Sequence, residues 1–322
     1  MASTARSEPS AAATIAVRLQ SISYAAAGVL LFELAALDGV LPRAQAGAHL
    51  DIHLPAGRQR QYSLVTPLCS EKSYVIAVKR EEAGRGGSLW LHDEARVGTE
   101  LRISPPRNNF ELDETVADTL LLAGGIGITP IYAMFARLQE LGRRVRLHYW
   151  SRSREHTLFF ERLKDDRNVS LHYSSDADRV SIADVMRHAG PHTEVYCCGP
   201  SRMLDESISN APYASRLHIE HFGVVARPED DETASAFTVH LARKGLDLDV
   251  AADQTILGAL LAAGVDVPYS CEEGVCGACE ATVLAGEPLH RDSVHSPDDH
   301  ARRGTIMICC SLSRSRRLVL DI

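Results

Sequence analysis

Between residues 14 and 105, apolar and polar side chains alternate in short runs broken by turn residues, at 14–22, 29–34, 49–54, 59–65, 74–79 and 100–104. Alternation of period two marks a strand with one buried face. Six such runs, with one short helical stretch at 88–93, predict a small antiparallel β-barrel. The pattern then changes. Apolar strand-like runs at 119–123, 144–149, 169–173, 194–198 and 217–222 alternate with helical segments, the clearest carrying Ile131, Met134, Phe135 and Leu138 at i, i+3, i+4 and i+7. Such alternation predicts an α/β domain built on a parallel sheet. Pro130 is expected at the first helical position and Gly142 at the stop. A third pattern closes the chain, with strands at 237–242, 246–251, 281–284, 305–309 and 317–321 and a helix at 255–263 ended by Gly264. This is an α+β arrangement.

The expected organisation is therefore a disordered start at 1–13, a barrel at 14–107, a parallel-sheet domain at 108–225, an acidic linker at 226–235 and an α+β domain at 236–322. The length of 322 residues suffices for several cores. Hydrophobic content of 45% and charged content of 24% are ordinary globular values. No apolar run reaches the roughly 18 residues of a membrane span, and no secretory signal is expected at the amino terminus. A net charge of −8 argues against nucleic acid or an anionic membrane as partner. Eight cysteines, several closely clustered, fit a reducing cytoplasm better than a disulfide scaffold.

Those cysteines carry the strongest chemical signal. Cys271, Cys276 and Cys279 are spaced C-x4-C-x2-C, and Cys309 follows after 29 intervening residues. This is the plant-type spacing for a [2Fe–2S] cluster held by four thiolates. Gly274 and Gly277 let the loop wrap closely and aim N–H groups at sulfur. A structural zinc is the competing reading, although only one C-x2-C clip occurs. Cys310 adjoins Cys309 and competes for the fourth position, with spacing favouring Cys309.

Two barrel segments also stand out. Arg60-Gln61-Tyr62-Ser63 places a guanidinium, an amide, a phenol and a hydroxyl on successive strand positions, and Gly84-Arg85-Gly86-Gly87-Ser88 opens the short helix. Arg60 suits a phosphate, and so does a glycine turn at a helix start. Read alone, each is equally an edge strand or a plain turn. In the parallel-sheet domain, Gly124-Gly125-Ile126-Gly127-Ile128-Thr129-Pro130 follows the first strand without the G-x-G-x-x-G spacing. Tyr196-Cys197-Cys198-Gly199-Pro200, with Met203, ends the fourth strand. Ser151, Arg152, Ser153 and Arg154 follow the second strand, where two arginines suit either a 2′-phosphate or a solvated loop, and Asp176 follows the third.

These segments together resemble the ferredoxin–NADP reductase superfamily. Their order, with Cys-Glu-x-Gly-x-Cys-Gly-x-Cys, His290-Arg291-Asp292-Ser293-Val294 and the closing Ile306–Ser311, resembles its phthalate dioxygenase reductase family over residues 14–322. The resemblance implies a flavin barrel, a nicotinamide domain and a carboxyl-terminal β-grasp ferredoxin. It implies FMN contacts from Arg60, Gln61, Tyr62, Ser63, Val78, Lys79, Gly86, Gly87 and Ser88. It implies NADH contacts from Gly124, Gly125, Gly127, Thr129, Cys198, Gly199, Pro200 and Met203, and favours NADH over NADPH; Ser151, Arg152 and Asp176 are expected at the adenosine end from their place after the second and third strands. Phe222 would stack on the flavin, and Ser63 and Cys198 would join it around the reacting atoms. Leu312 departs from the arginine relatives often carry.

A nicotinamide gives up two electrons as a hydride, whereas a [2Fe–2S] cluster accepts one. A chain holding both needs a flavin between them. A Rieske-type oxygenase on a separate chain is the expected acceptor. Its centre lies about 250 mV above a plant-type cluster, roughly four decades in favour of forward transfer. A cytochrome or a soluble ferredoxin is the alternative acceptor, and a monomer is expected.

Overall fold

The computed structural model describes residues 14–55, 58–174, 180–213, 216–222, 235–269, 272, 274, 277–292, 294 and 297–322. They fall into two compact units, one spanning Ile15–Phe222 and the other drawn from Gly223–Ile322.

The first unit opens with β1 (Ile15–Ala26), β2 (Val29–Ala36), β3 (His49–His53), β4 (Gln59–Ser63), β5 (Ser73–Lys79) and β6 (Glu100–Ile103). They form an antiparallel sheet in the order β4-β3-β6-β1-β2-β5, and a Leu64–Ile76 bridge joins its two edges into a barrel. β1 outruns its expected end because β2 pairs with it as far as Ala26–Val29, where a two-residue turn reverses the chain. Alternate residues point inward. Val17, Leu19, Phe32, Leu34, Leu50, Ile52, Leu64, Ile76 and Ile103 are wholly buried there, and α1 (Gly87–Asp93) adds Trp90 and Leu91 to the same core.

A parallel sheet follows, of β7 (Asp118–Gly124), β8 (Arg144–Ser151), β9 (Val169–Tyr173), β10 (Thr193–Gly199) and β11 (Leu217–His221), ordered β11-β10-β7-β8-β9. Between the strands lie α2 (Ile128–Glu140), α3 (Phe160–Leu163), α4 (Ile182–Met186) and α5 (Ser201–Ser209). The chain runs outward from β7 to β9 and returns to β10 beside β7. The strand order therefore reverses between β7 and β10, the place where such sheets bind ligands at their carboxyl ends. Ile131, Tyr132 and Phe135 of α2 share one apolar core with Val29, Val65, Val75 and Ala77 of the barrel. Barrel and sheet are thus a single unit.

Pro130 occupies the third helical position, not the first as expected. A 3-10 turn at Gly125–Gly127 passes directly into α2, so Ile128 and Thr129 join the helix ahead of it. A proline there sacrifices nothing, since the first N–H groups of a helix have no acceptor within it.

The second unit contains β12 (Phe237–Leu241), β13 (Leu246–Val250), α6 (Ile256–Ala262), β14 (Glu280–Ala285), β15 (Pro288–Leu289), α7 (Pro297–Arg303), β16 (Thr305–Met307), β17 (Leu312–Ser313) and β18 (Arg317–Leu320). The sheet order is β13-β12-β18-β14-β16, with β12 and β18 parallel and the other neighbours antiparallel. Ile256, Leu257 and Leu260 of α6 pack with Phe237, Val239, Leu318 and Leu320 from the strands. Thr255 caps the helix, its hydroxyl accepting from Gly258 N–H at 3.0 Å. The fold is a β-grasp. The strand expected at 305–309 ends at Met307, so Cys309 lies in the turn beyond it. Among the described residues no helix is long and apolar enough to cross a membrane.

Candidate functional site

On the barrel, β4 brings Arg60 against the glycine turn. Its Nη2 donates to Arg85 O at 2.6 Å and its Nη1 to Gln59 O at 2.6 Å. A Cβ on Gly87 would collide with Arg60 Cγ, so only glycine admits the guanidinium this close to the start of α1. Arg58 Nη1 adds a bond to Gly86 O at 3.4 Å. Two guanidiniums converging on a glycine turn fit a flavin phosphate. Tyr62 is partly buried beside the barrel core, and burial pushes its phenol pKa upward. Ser63 is buried and pairs across the strands with His49, while Gln61 pairs with Asp51.

Three expected flavin contacts are placed differently from the expectation. The Val78 side chain lies in the barrel core, leaving only backbone for a ligand, and its carbonyl already accepts from His92 Nε2 at 2.9 Å. Ser88 Oγ accepts from Glu81 N–H at 3.1 Å, which ties it to the preceding loop. Lys79 pairs with Glu81 at 2.9 Å while also lining the cavity described next.

At the carboxyl ends of the parallel strands, two loops meet at backbone contact. A Cβ on Gly127 would strike the carbonyl of Cys198, and one on Gly124 would lie 2.6 Å from Met203 Sδ and 2.7 Å from Pro200 Cδ. The glycine loop after β7 and the Cys-Gly-Pro turn after β10 therefore interlock through positions that tolerate no side chain. Beside them opens a cavity of about 850 Å³. Lys79, Gly124, Gly125, Ser151, Arg152, Pro200 and Met203, all singled out from sequence, line it. Gly127, Thr129, Cys198 and Gly199 are not among its lining residues. Thr129 is buried and donates to Ile126 O at 3.1 Å, so its hydroxyl shapes the glycine loop.

Of the two arginines after β8, only Arg152 lines the cavity. Arg154 turns toward α3, lying 4.3 Å over Phe160 and 3.7 Å from Glu161. Arg202, Tyr149 and Trp150 also line the cavity and were not anticipated. The available signal for Arg202 was its place inside the Cys-Gly-Pro-x-x-Met turn. Asp176 lies outside the described residues.

The Cys198 side chain does not reach the cavity wall as a catalytic thiol would. It is 0% exposed, burial lifts its pKa well above the usual thiol value, and its Sγ lies 4.0 Å from Glu220 Oε2. Burial pushes Glu220 itself up to about 8. Sequence reasoning passed over this residue. Cys197 packs in the core with its Sγ 3.3 Å from Ser207 Oγ. Phe222 stands 41% exposed just beyond β11, open enough to meet a planar ring.

In the β-grasp unit Cys271 and Cys276 lie outside the described residues. Cys279, Cys309 and Cys310 are all buried, and Ile308 N–H donates to Cys279 O at 3.3 Å, drawing the two cysteine-bearing segments together. A Cβ on Gly274 would meet Cys310 Sγ and Asp292 Cα, so the loop can pass there only as glycine. Buried soft thiols on two segments drawn together in this way fit an iron–sulfur cluster.

Beside that loop, His290, Asp292 and His300 come within 4.8 Å of one another. Their rings are stacked at 3.7 Å and 11° apart, and parallel imidazoles cannot both aim a lone pair at one cation. The buried Asp292 carboxylate instead accepts from His300 Nε2 at 3.0 Å, Val294 N–H at 3.1 Å and Ser311 Oγ at 3.4 Å. Asp292 thus braces His300, Val294 and Ser311 around one carboxylate.

Residues 239–314 match the model of the 2Fe-2S iron-sulfur cluster binding domain family. Over 323 aligned residues the chain is 45% identical to the phenoxybenzoate dioxygenase subunit beta of Ectopseudomonas oleovorans, covering 97% of this chain and 100% of that one. The solved phthalate dioxygenase reductase, described as a modular structure for electron transfer from pyridine nucleotides to [2Fe–2S], is 36% identical. It superposes with a TM-score of 0.70 over 96% of this chain and 98% of its own. The chain belongs to the phthalate dioxygenase reductase family. As a member it is an electron-transfer oxidoreductase with a [2Fe–2S] cluster domain at its carboxyl end. An intact type IV self-sufficient cytochrome P450 monooxygenase is also similar, with TM-score 0.88 and 36% identity. That match covers 96% of this reductase-family chain but only 41% of the P450 chain.

Proposed function

We propose that this chain is the reductase component of a two-part, Rieske-type aromatic oxygenase or oxidative demethylase. It works as a cytoplasmic monomer, taking electrons from NADH and delivering them to an oxygenase on a separate chain. One observation carries this reading: a single unit holds both the Arg60–glycine turn and a cavity lined by Gly124, Gly125 and Ile126 of the glycine loop and by Pro200, Arg202 and Met203 of the turn interlocked with it.

When bound, FMN supplies the exchange between the two electrons of a hydride and the single electron a [2Fe–2S] cluster accepts. The chain's own residues do the placing. Arg58, Arg60 and the Gly86–Gly87 turn hold the flavin phosphate. Tyr62 and Phe222 offer aromatic faces to the ring system, and Ser63 offers a hydroxyl. The glycine loop holds the dinucleotide phosphates, Arg152 and Arg202 line the remainder of its cavity, and Met203 packs the turn beside the nicotinamide. Cys271, Cys276, Cys279 and Cys309 hold the cluster. The working boundaries are 14–107 for the flavin barrel, 108–225 for the nicotinamide domain, 226–235 for the linker and 236–322 for the ferredoxin.

The name of the Ectopseudomonas relative, a dioxygenase subunit, supports an oxygenase on another chain. Similarity to a self-sufficient cytochrome P450 favours a haem acceptor as the second reading. Anaerobic titration with NADH should bleach flavin and cluster together, with three electrons taken up per chain. Steady turnover with a Rieske oxygenase should exceed that with cytochrome c alone. A protein that carries flavin but no iron, or that NADH does not reduce, would end the proposal.

A further inference from the structure

Resting on that reading, we infer that Tyr149 is a positioning residue for the dinucleotide, setting the glycine loop through its hydroxyl. Tyr149 sits near the carboxyl end of β8 and is 1% exposed. Its Oη donates to Gly125 O at 3.1 Å and accepts from Leu158 N–H at 3.2 Å. Gly125, Ile126 and Leu158 all line the cavity. One hydroxyl thus couples the loop after β7 to the opposite wall, the segment returning from β8.

The geometry gives that coupling a direction. A trans peptide points its C=O and the following N–H to opposite sides. With Gly125 O turned toward Tyr149, the Ile126 N–H of the same peptide is turned away from it. Gly125 sits at φ 54°, where other side chains are strained, and its carbonyl accepts from Ile128 N–H as well as from Tyr149, so the hydroxyl supplies one of two bonds that fix this peptide. N–H groups fixed at the start of a helix are what a dinucleotide diphosphate requires. α2, thirteen residues long, begins directly after the turn.

The other partner is also held in place. Phe159, next to Leu158, adopts φ 61°, a costly conformation for a bulky residue, and stacks on Tyr132 of α2 at 4.3 Å and 26°. Ser151 Oγ meets Thr157 Oγ1 at 2.8 Å, closing the 151–159 segment on itself. Both ends of the Tyr149 bridge therefore belong to stiff structure. A hydroxyl between two such walls sets their spacing.

The test compares wild type, Tyr149→Phe and Thr193→Val as FMN- and cluster-loaded proteins. Thr193→Val removes a buried hydroxyl, bonded to Asp118 Oδ2 at 2.6 Å, from the far end of the same sheet. It reports what simple destabilisation does. Tyr149→Phe should raise KM for NADH on the order of tenfold with kcat within about twofold, and should weaken ADP-ribose binding by a similar factor. Flavin content and cluster absorbance should not change, and Thr193→Val should leave KM as in wild type. The inference fails if Tyr149→Phe keeps the wild-type KM, if Thr193→Val raises KM equally, or if ADP-ribose binding is unchanged. A wild-type protein that NADH cannot reduce would sink the proposed function and this inference with it.

Discussion

Glu220 Oε2 lies 4.0 Å from Cys198 Sγ across the paired strands β10 and β11, two ionisable groups that burial holds in their neutral forms. Burial raises Glu220 from 4.5 to about 8. The folded chain therefore binds this proton more tightly than the unfolded chain. The associated stability is complete below pH 4.5 and is lost as pH rises through about 8. Glu220→Gln should remove that dependence. Urea midpoints of the two proteins, followed from pH 5 to 9, should show the wild type falling relative to the variant. Parallel curves would contradict the assignment.

On the acid side two histidines contribute alongside paired carboxylates such as Glu114. His49 is 1% exposed, and burial, reinforced by the Arg107 charge, lowers it from 6.5 to about 4. His148, half-buried against His172, falls to about 4 for the same first reason. Here the unfolded chain binds the proton more tightly, so stability is complete above pH 6.5 and is lost as pH falls toward 4. For His49 the loss approaches about 3 kcal/mol. His49→Gln should flatten this limb in denaturant melts at pH 4 to 7, and an unaltered slope would show that His49 does not set it.

Much of this architecture was legible in the sequence because the relevant patterns are one-dimensional. A strand with one face buried must alternate, so the barrel strands stood out at 14–104. Clustered thiols show by spacing alone. Features created by tertiary contact were hidden. The sequence Pro297–Arg303 folds as α7 without an apolar stripe that periodicity could detect. Val78 was expected beside Lys79 as a flavin contact, yet alternation sends its side chain into the core. Arg152 and Arg154 appear equivalent in sequence until α3 draws Arg154 away. Glu220 is an unremarkable strand residue until β11 docks beside β10 and sets its carboxylate against Cys198.

Arg60 makes the flavin site testable without any partner protein. Its guanidinium packs on Gly87 and donates to Arg85 O. Arg60→Ala should weaken FMN binding by about tenfold or more, the range of a charge-assisted hydrogen bond. Flavin released from protein passed through a desalting column reports it, with cluster absorbance as the internal control. Full flavin retention would remove Arg60 from the phosphate site.

Adjacent thiols leave the fourth cluster ligand to be decided by substitution. Cys309 and Cys310 are both buried in the turn after β16, and Cys310 Sγ faces Gly274 in the cysteine loop. The spacing favours Cys309 as the ligand, and Cys310 is the competing candidate. Cys309→Ser and Cys279→Ser should each abolish the visible cluster bands and lower iron below two per chain, while NADH still reduces the flavin in the other unit. Cys310→Ala should keep both irons and their spectrum, with some loss of stability from the small cavity it leaves. If Cys310→Ala loses the cluster and Cys309→Ser keeps it, the ligand is Cys310 and the turn must present its sulfurs in the opposite order. Loss of flavin reduction along with the cluster would mean instead that the two units are not functionally separable.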